Sequence, residues 1–269
     1  MARLSSKIAE RMRRTAEALA PWLGVVGLIV AWELISRSGA VTRFTLPAFS
    51  LVMARIAEDF ASGELLLYLG STLYRALLGF AIATVLGIGL GLAIARSRLG
   101  SWFFDPIVSF GFPMPKIAFV PVVVLWLGFH DVSKITMIAV DTMFPIITAT
   151  IAGLQGVETQ LTWAARNMGA TDRELLGQVL LPAALPQILT GLQVALPIAV
   201  IVAIIMEMMT GGVGLGAAMV AASRQADSPG VFAGLVEIAV VGVGLMKIMA
   251  GTRRRLLSWH QEAKAPTTV

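Results

Sequence analysis

Residues 163–182 read Trp-Ala-Ala-Arg-Asn-Met-Gly-Ala-Thr-Asp-Arg-Glu-Leu-Leu-Gly-Gln-Val-Leu-Leu-Pro, a polar island between long apolar runs. Trp163 to Met168 reads as the end of a helix. Gly169 is placed to stop it, because glycine adopts the left-handed conformation without a Cβ clash. Thr171-x-x-Glu174 is a capping box, in which the hydroxyl takes one orphan amide and the carboxylate reaches back to another. Leu175, Leu176, Val179 and Leu180 give the second helix an apolar face, with Arg173, Glu174 and Gln178 opposite. Pro182 has no amide hydrogen and is expected to end that helix.

Composition says what the island lies on. The chain has 269 residues, of which 57% are hydrophobic and 14% charged, and its mean hydropathy is +0.82. A soluble domain carries roughly 25% charged residues, so this is an integral membrane protein, read as all-helical. With no cysteine there is no disulfide framework and no thiolate metal site. His130 and His260 have no ligand-spaced neighbour, so no metal is expected. The net charge of +5 comes from Lys and Arg that flank apolar segments, which membrane topology explains better than nucleic acid.

In chain order, a basic stretch over residues 1–20 precedes an apolar run from about Pro21 to Ile35, read as an uncleaved first span. Ser50 is expected to cap a short external amphipathic helix that Ser62-Gly63 breaks. Ala76 to Ala95 is free of charge and long enough to cross ~30 Å of hydrocarbon. Gly87-x-x-x-Gly91 within it fits close helix packing inside one bundle. The third span, about Phe104 to Leu127, holds four prolines and Lys116, so it should be buried or line a cavity. The fourth runs from about Ile135 to Leu154 with Asp141. The fifth runs from about Pro186 to Met209 with Gln193 and Glu207, and the sixth from about Val231 to Ala250 with Glu237 and Lys247. Gly211-Gly212-Val213-Gly214-Leu215-Gly216 lacks the Lys-Ser/Thr of a phosphate loop and reads as a tight external turn.

Six spans with both termini inside place fourteen of the 21 Lys and Arg on the inner side and five outside. That excess sets the orientation and puts the island on the cytoplasmic face. No nucleophile elbow, metal-binding His-Glu-x-x-His or phosphate loop occurs, so no catalytic residue is assigned and any ATP must be bound by another chain. Charges inside spans are costly and are functional candidates. Asp141 and Glu207 are the foremost, while Glu33 and Glu237 lie nearer span ends, where structural pairing is an even alternative.

Ala164-Ala165, then Gly169, then Val179-x-Leu181-Pro182 resembles the EAA loop of ABC importer permeases, with Trp163 where that motif has Glu and Val179 where it has Ile. Pro113-Met-Pro-Lys-Ile-Ala-Phe-Val-Pro121, Leu125-Trp-Leu-Gly128, Ser133-Lys134, Phe144-Pro145, Thr190-Gly191-Leu192, Glu207-Met208 and Gly214-Leu215-Gly216 are similar to the nitrate/sulfonate/taurine branch of that family. The resemblance implies a type I ABC importer permease fold of six transmembrane helices with a cytoplasmic coupling-helix loop. Residues 1–20 would be a cytoplasmic segment, 21–252 a single transmembrane permease domain with its coupling loop at about 155–182, and 253–269 a cytoplasmic tail. It further implies a homodimer in a bacterial inner membrane, two cytoplasmic ATPase subunits that carry the ATP and Mg, and an external solute-binding protein. Ala164, Ala165, Gly169, Ala170, Thr171, Glu174, Leu181 and Pro182 would couple to the ATPase. Arg75, Lys116, Asp141, Gln193 and Glu207 are candidates for the pathway of a small anionic solute.

The alternative is a secondary transporter driven by an ion gradient through Asp141 and Glu207. It would call for inverted repeats, and only one half of the chain carries a polar island. A membrane-embedded enzyme is disfavoured by the empty catalytic inventory.

Overall fold

The computed structural model describes residues 23–259; the basic segment 1–20, the start of the first apolar run, and His260 with the end of the tail lie outside them. Every regular element among the described residues is a helix. By their internal contacts they form two compact units, one of residues up to Glu64 with Met219–Val236, the other of Leu65–Ala218 with the chain from Glu237 onward.

In the first unit, helix α1 covers residues 23–37 and α2 covers Phe49–Ser62, ending at Gly63 with a φ of 81°. Trp32 joins them: its indole N–H donates to the Pro47 carbonyl at 2.9 Å and its ring meets Phe49 edge-on. Ser50 does not cap α2. Ala48 holds that position and makes no side-chain bond, so the orphan amides take a carboxylate from α1 instead. Glu33 accepts the Ser50 amide at 3.1 Å and its hydroxyl at 2.9 Å, and pairs with Arg37. Thus Glu33 is a structural charge. Helix α10 (Leu215–Arg224) from Met219 onward and the start of α11 (Ser228–Leu256) complete the unit. Asp227 accepts the Gly230 amide and is held by Arg55 at 2.6 Å.

The second unit is built on three helices, α3 (Glu64–Arg96), α6 (Asp131–Gln155) and α9 (Leu181–Thr210). Glycine lets α3 and α6 touch. A Cβ at Gly79, Gly87 or Gly91 would lie 2.5–2.9 Å from Ile138, Ile146 or Thr150. The Gly87-x-x-x-Gly91 pair is therefore spent on packing within the chain, as the sequence suggests. On the α9 side, a Cβ at Gly191 would lie 2.3 Å from Ala149. Ala76, Met137, Ile138, Ala199, Val200, Ala203 and Met206 form the core where the three helices meet.

Among the described residues four helices are long and apolar enough to cross a membrane: Glu64–Arg96, Asp131–Gln155, Asp172–Thr210 and Ser228–Leu256. The proline-rich third span is not one rod. Helix α4 (Arg98–Gly111) is followed by a 3-10 turn (Lys116–Phe119) and α5 (Val120–Leu127), and the two halves bend by 91°. Together they can make a fifth, broken span. The described part of α1 rises about 22 Å at 1.5 Å per residue, short of ~30 Å of hydrocarbon.

Pro182 does not end its helix, contrary to expectation. The chain runs from α8 (Asp172–Glu174) through a π-turn (Leu175–Leu180) straight into α9. In the π-turn the Leu181 amide bonds back five residues to Leu176. The wider turn relieves the clash that a proline ring makes with a carbonyl one α-turn earlier, and the missing Pro182 amide then costs little.

Candidate functional site

Helix α7 (Thr159–Asn167) ends where the sequence places its stop. Gly169 has a φ of 85°, and the Ala170 amide folds back onto the Ala165 carbonyl at 3.1 Å. The capping box is complete. Thr171 Oγ accepts the Glu174 amide, and Glu174 Oε2 accepts the Thr171 amide at 2.8 Å and its hydroxyl at 2.7 Å. These two donors, the hydroxyl foremost, hold the Glu174 carboxyl below its usual range. Arg166 and Asp172 pair across the glycine turn at 3.4 Å.

Burial divides the eight island residues. Ala165 is buried, as is Leu175 on the facing π-turn, so Ala165 holds the two helices together. Ala164, Gly169, Thr171, Glu174 and Pro182 are exposed, while Ala170 and Leu181 are half-buried. The same surface presents Trp163 at 64% and Met168 at 82% exposure. Two large apolar side chains left this open on a short polar helix need a cover. Sequence reading noted Trp163 only as a departure and passed over Met168; the signal was an apolar side chain beside the glycine stop.

The five intramembrane candidates do not form one site. Arg75 and Glu207 pair at 2.7 Å, with Glu207 wholly buried. Glu207 also accepts the Thr72 hydroxyl at 2.9 Å and the Gly216 amide at 3.1 Å. Arg75 bonds Asp131 at 2.7 Å and the Val213 carbonyl. Lys134, almost fully buried, donates to the Gly211 carbonyl at 2.7 Å. The glycine-rich turn therefore wraps a carboxylate: a Cβ on Gly214 would lie 2.3 Å from the Glu207 carboxyl carbon. Thr72, Asp131 and Lys134 were missed as members of this cluster. Only the spacing of Thr72 and Arg75, which share a helix face, hinted at it.

Lys116 and Asp141 form a second, separate pair at 3.0 Å in the elbow between α4 and α5. The Lys116 ammonium also donates to the Phe112 carbonyl at 3.3 Å and sits 4.7 Å from the centre of the Phe144 ring. Gln193 is elsewhere again, accepting from Arg253 at 2.8 Å. Among the described residues no group of three or more His, Cys, Asp or Glu could hold a metal ion.

Comparison with known proteins fits this architecture. The chain is 33% identical over 233 residues to a protein of Bacillus subtilis named as an aliphatic sulfonates transport permease, covering 87% of this chain and 84% of that one. It is 32% identical over 251 residues to the formylaminopyrimidine transport permease protein of Halalkalibacterium halodurans, covering 93% and 100%. To the taurine transport system permease protein of Escherichia coli it is 28% identical, covering 88% of each. In fold it is similar to a chain of an amino acid ABC transporter crystallised with histidines (TM-score 0.60, 19% identity, 76% of this chain and 97% of that one). It is also similar to the inward-facing MetNI methionine ABC transporter (TM-score 0.53, 20% identity, 66% and 92%). Residues 83–257 match the family model of the binding-protein-dependent transport system inner membrane component, and the chain belongs to that family, as a multi-pass membrane permease of an ABC importer.

Proposed function

We propose that this chain works as a homodimer of six-span subunits with both termini in the cytoplasm, and that it imports a small anionic solute. Residues 21–252 act as one permease domain between the cytoplasmic segments 1–20 and 253–269. On the cytoplasmic side two ATPase subunits supply ATP and Mg. On the outer side a solute-binding protein delivers the cargo. The excess of Lys and Arg on the inner segments supports this orientation. The solute class is drawn from relatives named for aliphatic sulfonates and taurine.

One observation carries the coupling role: a rigid, capped pair of helices that offers Ala164, Gly169, Trp163 and Met168 outward and continues without a break into α9. Small residues let a partner approach closely, and the unbroken chain delivers its push to a core helix. Ala170, Thr171, Glu174, Leu181 and Pro182 shape that surface, and Ala165 positions it from inside. An ion-gradient mechanism finds less support, because both candidate carboxylates already hold a cationic partner.

The test is uptake of labelled taurine and butanesulfonate by vesicles holding the whole complex. ATP should drive it and Ala164→Asp should abolish it, with the ATPase lost from the purified complex. Uptake driven by a proton gradient, with no ATPase present, overturns the proposal.

A further inference from the structure

We propose that the cavity in the elbow between α4 and α5 is a binding site for a small organic anion. Lys116 takes the anionic head in exchange for Asp141, and the apolar wall takes a short tail. The inference deepens the importer reading given above by naming a contact point for its solute inside the membrane.

The elbow docks on α6 through Val108 against Ile147 and Val120 against Met137 and Ile138, and the Phe144 ring fills the bend between them. A Cβ at Gly111 would lie 2.3 Å from Phe144, so glycine is what lets α4 end against that ring. The same ring lies under the Lys116 ammonium. Beside them is a cavity of about 260 Å³ with an apolar wall, lined by Met114, Phe119, Val123, Met137, Val140 and Phe144 and by the stem of Lys116, so that the charged end of Lys116 stands at its rim. That volume is near the lower end for ligand pockets, about 300–1,000 Å³, so the occupant is small.

The pair at its rim is poorly satisfied. Among the described residues Asp141 pairs with Lys116, and Lys116 spends two of its three donor directions, on Asp141 and on the Phe112 carbonyl. Its side chains are 11% and 23% exposed, against 7% and 0% for Arg75 and Glu207. A charge in lipid with so few partners is expensive and marks function by default. In the exchange Asp141, 23% exposed, turns out to water, which takes over its charge, while the anion keeps a pair on Lys116 and its apolar tail fills the cavity. An inorganic anion gains only the ion pair, and an organic cation gains nothing from Lys116.

The purified full chain in phosphatidylcholine nanodiscs would be titrated with butanesulfonate, sulfate and butylammonium by calorimetry. Butanesulfonate should bind saturably, sulfate at least about tenfold more weakly because it buries no apolar tail, and butylammonium not at all; the charge-assisted hydrogen bond to Lys116 itself supplies about a tenfold factor. Lys116→Gln should weaken binding by about that factor, whereas Asp141→Asn, which removes the competing carboxylate, should tighten it. Val140→Trp fills the cavity without touching either charge and should abolish binding, which keeps the test open if a charge variant fails to fold. A purely structural ion pair instead makes the two charge variants melt lower with no opposite change in affinity, and that outcome overturns the proposal. So does the absence of saturable binding to the wild type. Loss of binding when phosphatidylglycerol replaces part of the lipid would reassign the site to a lipid headgroup and also overturns it. Should the wild type bind nothing while ATP still drives uptake by the complex, the site falls and the importer reading stands.

Discussion

Glu207 and Glu174 are bonded alike and placed oppositely. Each carboxylate accepts a threonine hydroxyl and a backbone amide, from Thr72 and Gly216 in one case and from Thr171 alone in the other. Glu174 does this in the open, within one turn of chain. Glu207 does it with no exposure and adds Arg75, which brings in Asp131. In water a lost hydrogen bond is replaced by solvent, so the exposed box organises a turn and little more. In the bundle nothing replaces it, so every partner of Glu207 is indispensable to the fold.

The largest effect should come from removing the cation. Arg75→Met takes the bonded guanidinium from Glu207 and Asp131, and breaking a buried pair from one side costs about 3–5 kcal/mol. In detergent the melting temperature should fall by about 6 °C or more, at roughly 2 °C per kcal/mol for a chain of this length. Glu174→Ala should leave it near the wild-type value and act on ATPase association instead. Equal melting losses would break the comparison.

A smaller contrast separates the two glycines that serve these carboxylates. Gly214 has a φ of 154°, and a Cβ there would run into the Glu207 carboxyl. Gly214→Ala should cost about 1–3 kcal/mol through overpacking. Gly169 has a φ of 85° with open space around it, so Gly169→Ala carries only the left-handed strain of about 1–2 kcal/mol. Thermal melts of both variants check the order, and a larger loss at Gly169 would show that the island is packed more tightly than its exposure says.

The same contrast explains what could be read in advance. Thr171-x-x-Glu174 is legible because its atoms meet three residues apart, and the sequence and structure agree there atom for atom. Thr72 and Glu207 are 135 residues apart. Arg75 and Glu207 each stood out as a charge in an apolar run, yet nothing in a linear chain says that they pair with each other rather than with a solute. Lys134 counts as an outer charge in the topology but is almost wholly buried on the Gly211 carbonyl. Gly87-x-x-x-Gly91 announced a close packing without naming α6 as its partner. Pro182 misled for a different reason: whether a proline ends a helix depends on the turn before it, and six residues of π-turn leave no mark that a residue-by-residue rule detects.

The least perturbing test uses acid on the exposed box. The Thr171 hydroxyl and amide hold the folded Glu174 carboxyl below the usual value of 4.5. A depressed folded value means that the box contributes its full stabilisation above about pH 4.5 and loses it as pH falls through the lowered value, never on the alkaline side. Hydrogen exchange of the Thr171 amide, corrected for the intrinsic rate, should therefore be slow and level from pH 7 to about 5 and lose protection below that. Glu174→Gln can keep the bond to that amide but carries no titrating proton, so its protection should stay flat across the same range. Protection in the wild type that survives well below the carboxylate range would mean that the turn is held by Gly169 and the Ala165 carbonyl, with the box an ornament on a backbone already fixed.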